Sequence, residues 1–248
     1  LANDARRVLC DPYFEENPAA VVNWDSFDRI DLLVISHAAV DHLGDADKLA
    51  LKYGCPVVCG GEVKRWLVDR GVKPETIQAT TWGIRVRVAG FEVQPLECRH
   101  WSQITLKDGS FISGTPMAYI VYVDGVRFYH YGDTAIFSDL KLHGELYRPN
   151  VGCVGIAIPR EMLHRFPMPG EMLTCEMSPY EGFLAAGWLG LDTVFPCHYC
   201  VADGDPDVAA YMQLHNDALA AGRNPPHAMI LNGGDWVDFD AAGNRIDA

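Results

Sequence analysis

The 248-residue chain is short of positive charge: 20 lysines and arginines face 33 aspartates and glutamates, a formal net charge of −13. No run of basic residues exceeds two, as at Arg6-Arg7, so the clustered cations that release counterions from a phosphate backbone are missing. No nucleic acid partner is expected, and the acidic balance disfavours an anionic membrane surface. No apolar stretch reaches the ~18 residues of a membrane span, and the segment after Leu1 does not read as a signal peptide. Gly-x-Ser-x-Gly is absent, so a serine hydrolase has no support, and Gly233-Gly234 lacks the Lys-Ser/Thr and following helix of a phosphate loop. No internal repeat or low-complexity segment occurs.

Hydrophobic residues make up 49% and charged residues 21%, which suits a globular fold and excludes disordered, collagenous and coiled-coil chains. That core makes a disulfide scaffold unnecessary, so the eight cysteines read as reduced thiols in a cytoplasmic protein. No linker divides the chain, and residues 1–248 are expected to form one domain.

Apolar runs place strands at Arg7–Cys10, Arg29–Ser36 and Cys55–Cys59, alternating with helices from Asp45 to Tyr53 and Glu62 to Asp69. Strict alternation from Gly83 to Cys98, with Ile84, Val86 and Val88 on one face, predicts antiparallel strands. Met117–Asp124 and Val126–Tyr131 read as a hairpin turning at Asp124-Gly125. Downstream, a helix is expected from Glu181 to Leu189 and a strand from Thr193 to Cys197. Another helix follows from Pro206 to Gly222, with Val208, Tyr211, Met212 and Leu219 on one face, and then a strand from Ala228 to Leu231. Residues 155–175 carry three prolines and little periodicity; they read as a functional loop in which Arg160 and His164 could meet a substrate.

The chemistry concentrates at strand ends. Ser36-His37-Ala38-Ala39-Val40-Asp41-His42 releases two imidazoles and a carboxylate within six residues, a set suited to Zn²⁺ and also to Mn²⁺ or Fe²⁺. The alternative is a polar loop in which Asp41 caps a helix. His100, Asp133 and His198 each follow a further strand-like run, and that repetition favours a metal centre.

These positions resemble the metallo-β-lactamase superfamily, whose loop motif His-x-His-x-Asp-His is followed by a separate His, a bridging Asp and a final His. The order of Asp11-Pro12, the His loop, His100, Gly132-Asp133 and Pro196-x-His198-Tyr199 is most similar to stand-alone hydrolases related to ascorbate-6-phosphate lactonase. The resemblance implies an α/β fold, a four-layered αβ/βα sandwich, although family members usually open with a β-hairpin ahead of the Asp-Pro strand, where this chain almost begins. It implies one metal site of His37, His100 and Asp133 and another of Asp41, His42, Asp133 and His198, with Asp133 bridging. Ala39 departs from the motif, which has His there, so one ion is expected, or a second held more weakly. The implied activity is hydrolysis of a small ester, lactone or phosphoester by water activated on the metal, with Asp41 or Asp133 orienting it and Tyr199, or less readily Tyr131, as oxyanion donor. Either tyrosine equally suits core packing.

A metal-binding but non-hydrolytic protein, degenerate through Ala39 or turned to redox chemistry, is the alternative function. Cys197-x-x-Cys200 also reads as a dithiol pair or half a zinc site, but no second close pair accompanies it: Cys55 and Cys59 look buried. His130 is expected to make a structural hydrogen bond, while His143, His164, His215 and His227 have no partners at ligand spacing. Substrate identity and oligomeric state are not legible.

Overall fold

The computed structural model describes residues 1–3, 5–106, 108–157 and 176–246. The chain divides into two compact units, Leu1–Asp124 and Gly125–Ala248. Most of the loop expected over residues 155–175, with Arg160 and His164, lies outside the described residues.

In the first unit, β1 (Val8–Cys10), β2 (Leu32–Val34), β3 (Val57–Cys59) and β4 (Ile77–Ala79) form a parallel sheet in that order. Short helices separate them: α1 (Val40–Leu43), α2 (Ala46–Tyr53) and α3 (Gly61–Asp69). An antiparallel set follows, β5 (Val86–Val88) with β6 (Phe91–Glu97) and β6 with β9 (Met117–Val123), and a small hairpin joins β7 (Gln103–Thr105) to β8 (Phe111–Ser113).

The unbroken apolar run of β2 follows from burial on both faces. Successive side chains point to opposite sides of a strand. Leu33 and Ile35 therefore pack with Leu49 of α2 and Val63 and Leu67 of α3, while Leu32 and Val34 pack with Phe91, Val93, Tyr119 and Val121 of the antiparallel strands. Burying a side chain of this size stabilises the fold by roughly 1.5–3 kcal/mol. The ends of β1 and β2, where Asp11 and His37 emerge, are thus held on a rigid layer.

The second unit carries β10 (Val126–His130), β11 (Val151–Gly155), β12 (Thr193–Cys197) and β13 (His227–Ala228), paired in parallel in chain order. Its helices are α4 (Leu140–Tyr147), α5 (Pro179–Leu189) and α6 (Pro206–Ala220). α5 packs against α4, α6 and β11. It starts two residues before the expected Glu181 because Ser178 and Glu181 form a reciprocal capping box and Pro179 fits the first turn.

Other expectations need correction. Asp41 does not cap a helix: Ala39 precedes α1, and its carbonyl accepts from His42 and Leu43 N–H. The buried face of α6 runs through Val208, Tyr211, His215 and Ala218, while Leu219, in the last turn of the helix, is exposed. Ile84 precedes β5 and is exposed, and β13 ends at Ala228, three residues short of the expected Leu231. Cys55 and Cys59 are buried, as anticipated, and no disulfide joins the described cysteines. No described helix is long and apolar enough to cross a membrane.

His143 of α4 sits among the rings of Tyr129, Phe137 and Tyr147, and loss of hydration there pushes its pKa down from 6.5 to about 4. The unfolded chain takes up this proton first. Stability from the neutral ring is therefore fully present above pH 6.5 and is lost as pH falls toward 4. Urea unfolding of His143→Phe across that range is expected to show a shallower pH slope than the parent; parallel slopes would refute the assignment.

Candidate metal centre

The first unit gathers four of the predicted ligands. Its loop leaves the sheet just after Ile35, whose N–H still pairs with Val58 O. The next amide, Ser36 N–H, donates to Asp11 Oδ1 at 2.7 Å, and Ser36 Oγ donates to Asp11 Oδ2 at 2.5 Å. His42 Nδ1 lies 2.7 Å from the same Oδ2. A carboxylate only accepts here, so His42 carries its proton on Nδ1 and presents the Nε2 lone pair.

Ser36 Oγ, its own hydrogen committed to Asp11, accepts from His37 Nδ1 at 2.9 Å, which puts the lone pair of His37 on Nε2 too. The His37 ring centroid lies 4.1 Å from that of His42 and 4.9 Å from that of His100, and Asp41 Oδ2 is 3.6 Å from His42 Nε2. α1 can turn straight out of this loop because Gly44, at φ 42°, closes it against Pro12; a Cβ there would lie 2.2 Å from the Pro12 carbonyl oxygen.

In the second unit Asp133 and His198 follow β10 and β12, and His198 Nε2 lies 3.5 Å from Asp133 Oδ2. His198 Nδ1 donates to Ala157 O at 2.8 Å and lies 3.0 Å from Glu176 Oε2, again leaving Nε2 for a ligand. Tyr131 donates to Glu176 at 3.2 Å, and burial, reinforced by the Asp133 and Glu176 charges, raises its pKa well above 10.

Three of the six described non-glycine residues with positive φ lie at this site. Asp11, Asp133 and His198 have φ of 46°, 54° and 74°, a left-handed region that residues with a Cβ rarely enter. Such strain persists where surrounding structure fixes it, as it does at binding sites.

All six predicted ligands, His37, Asp41, His42, His100, Asp133 and His198, belong to groups of side chains able to hold a metal ion, and so do Asp11 and His130. The donor set fits a divalent cation of borderline softness. Three imidazoles are turned and protonated by other protein groups so that the same nitrogen is offered each time, the outer arrangement that metal-binding histidines need.

The remaining candidates have structural partners. Tyr199 donates to Leu231 O at 2.6 Å and accepts from Leu231 N–H at 3.2 Å, the packing role, and burial pushes its pKa up to about 12. His130 Nδ1 lies 3.3 Å from Cys153 Sγ, the expected structural hydrogen bond. Cys197 hydrogen-bonds with Cys153 on the neighbouring strand, while Cys200 is exposed. Asp11, Ser36 and Glu176 are not among the functional residues expected from the sequence. The Asp11-Pro12 strand end was the available signal for the first, whereas Glu176 follows the stretch with least pattern.

Residues 6–199 match the beta-lactamase superfamily domain. The chain belongs to that superfamily. Within it, the chain is 32% identical over 194 residues to a UPF0173 metal-dependent hydrolase of Rubrobacter xylanophilus, covering 77% of this chain and 73% of the relative. Among solved structures, Igni18, a metallo hydrolase from Ignicoccus hospitalis, superposes with a TM-score of 0.70 at 22% identity, covering 94% of this chain and 91% of that one. The metallo-beta-lactamase fold protein YhfI from Bacillus subtilis gives 0.56 at 12% identity, over 84% and 77% of the two chains. The α/β sandwich of the metallo-β-lactamase type expected from the sequence is therefore the fold of this superfamily member.

Asp11→Asn keeps the shape of the side chain but aims an amide donor at Ser36 Oγ and His42 Nδ1. Turning the His42 tautomer over restores a hydrogen bond and puts the proton on Nε2. The variant is expected to fold and to bind Zn²⁺ roughly 10–100-fold more weakly in chelator competition, the usual cost of losing an outer-shell partner; unchanged affinity would contradict the tautomer argument.

Proposed function

We propose that the protein is a divalent-metal-dependent hydrolase of a small ester, lactone or phosphoester. The ion is Zn²⁺, with Mn²⁺ or Fe²⁺ as chemically acceptable substitutes. Its ligands fall into the two sites that superfamily membership implies, His37, His100 and Asp133 in one and Asp41, His42, Asp133 and His198 in the other, with Asp133 common to both. The observation that carries this reading is the shared orientation of His37, His42 and His198, each holding Nδ1 in a protein hydrogen bond and offering Nε2.

The bound ion supplies Lewis acidity, activating water and polarising a carbonyl or phosphoryl oxygen. The chain's own residues do the rest. Asp41 and Asp133 provide carboxylates that orient the attacking water and accept its proton, a role suited to acceptor-only groups. Asp133, 3% exposed, works where bulk water competes little. A small-molecule substrate and a reducing, cytoplasmic setting complete the proposal, the latter in keeping with a core large enough to need no disulfide scaffold.

Elemental analysis of freshly purified protein, followed by turnover of an ester, lactone and phosphodiester panel, tests this. Asp41→Ala and His198→Ala are each expected to lower metal-dependent turnover by at least 100-fold while thermal unfolding remains cooperative. Retained turnover in both would overturn the proposal.

Ala39 favours a second reading, in which the protein binds metal without hydrolysing these substrates. Ala39 is half-buried and opens α1, where the related motif has a third loop imidazole. Wild-type protein is expected to hold close to one ion per chain and Ala39→His close to two. No turnover with any reconstituted metal would favour the non-hydrolytic reading, and two ions in the wild type would show that Ala39 does not weaken a site.

A further inference from the structure

Glu62, at the start of α3, is 3% exposed and plays no part in the proposed chemistry. Its Oε1 accepts from Ser102 Oγ at 2.5 Å, and Ser102 Oγ in turn accepts from Ala38 N–H at 2.9 Å. Ser102 is itself 4% exposed, and its carbonyl accepts from Gly114 N–H at 2.8 Å. The Glu62 carboxyl group is pressed against main chain: a Cβ on Gly114 would fall 1.8 Å from its carboxyl carbon, and one on Gly60 would fall 2.4 Å from Oε2. Oε2 is buried and makes no hydrogen bond among the described residues. Burying a carboxylate this thinly satisfied is costly, so the site that retains it gains something other than stability.

The gain lies in where the chain ends. Ala38 stands between His37 and Ala39, and Ser102 stands two residues after His100. One hydroxyl therefore ties the loop carrying His37 to the segment carrying His100, whose ring centroids lie 4.9 Å apart. The amides on either side of His37 are both anchored to buried carboxylates: Ser36 N–H directly to Asp11, and Ala38 N–H through Ser102 to Glu62. His37 is clamped from both flanks. We infer that Glu62 and Ser102 are positioning residues which, through the Ala38 amide, set the separation of His37 and His100 and so the affinity for the ion. This rests on the metal-centre reading above.

The test is Zn²⁺ affinity by chelator competition, with thermal unfolding of the metal-free protein beside it. Wild-type protein that binds no metal would defeat the metal-centre reading itself; everything else concerns only the relay. Ser102→Ala and Glu62→Met are each expected to weaken binding tenfold or more, whereas Glu62→Gln, which keeps an acceptor oxygen for Ser102, is expected to stay within threefold of wild type. The readout is affinity because a purely structural pair would lower the unfolding midpoint and leave affinity alone. Wild-type affinity in both Ser102→Ala and Glu62→Met, or a loss in Glu62→Gln as large as in Glu62→Met, overturns the inference. Should Ser102→Ala not fold, the two Glu62 variants decide it.

Discussion

The Asp11 carboxylate is the interaction on which the first unit's donor group depends. It accepts from one main-chain amide, one hydroxyl and one imidazole, all within 2.7 Å, and each bond passes an instruction onward. The amide fixes where the chain leaves the sheet. The hydroxyl, its proton spent on Asp11, can only accept from His37. The imidazole is left with its lone pair on Nε2. One buried charge thus selects two tautomers, which requires an environment dry enough that water does not compete for the same atoms.

That environment comes from packing on both sides of a four-stranded parallel sheet. β2 contributes Leu33 to one apolar layer and Leu32 and Val34 to another, so neither face needs polar side chains. In β1, β2 and β3 polar residues are then confined to strand ends, and there they appear in number. The left-handed backbone at Asp11, Asp133 and His198 is the counterpart of this rigidity, because a firmly held strand can force its final residue into a turn that a Cβ opposes.

Ala39 shows how little of the loop's shape depends on its missing imidazole. Its carbonyl still starts α1 by accepting from His42 and Leu43, and Asp41 still lies beside His42. The loop is held by main-chain amides and buried carboxylates, and no imidazole at position 39 takes part.

Much of this was legible along the chain. Apolar runs located β2, β3 and β12, since a strand buried on both faces must be continuously apolar, and the His-Asp-His spacing with its distant partners marked the six candidate ligands. The legible features are local: each depends on residues within a few positions of one another. Asp11, Ser36, Glu62, Ser102 and Glu176 were not legible, because a buried carboxylate or serine looks in sequence like any polar residue at the end of an element. Their roles rest on pairs such as Asp11 with His42 and Glu62 with Ser102, 31 and 40 residues apart. The sequence by itself determined which residues can bind a metal and on which kind of element they stand. Tertiary structure alone decided which nitrogen of each imidazole is offered and which loops are clamped, because hydrogen-bond partners separated in the chain meet only when the sheet is packed.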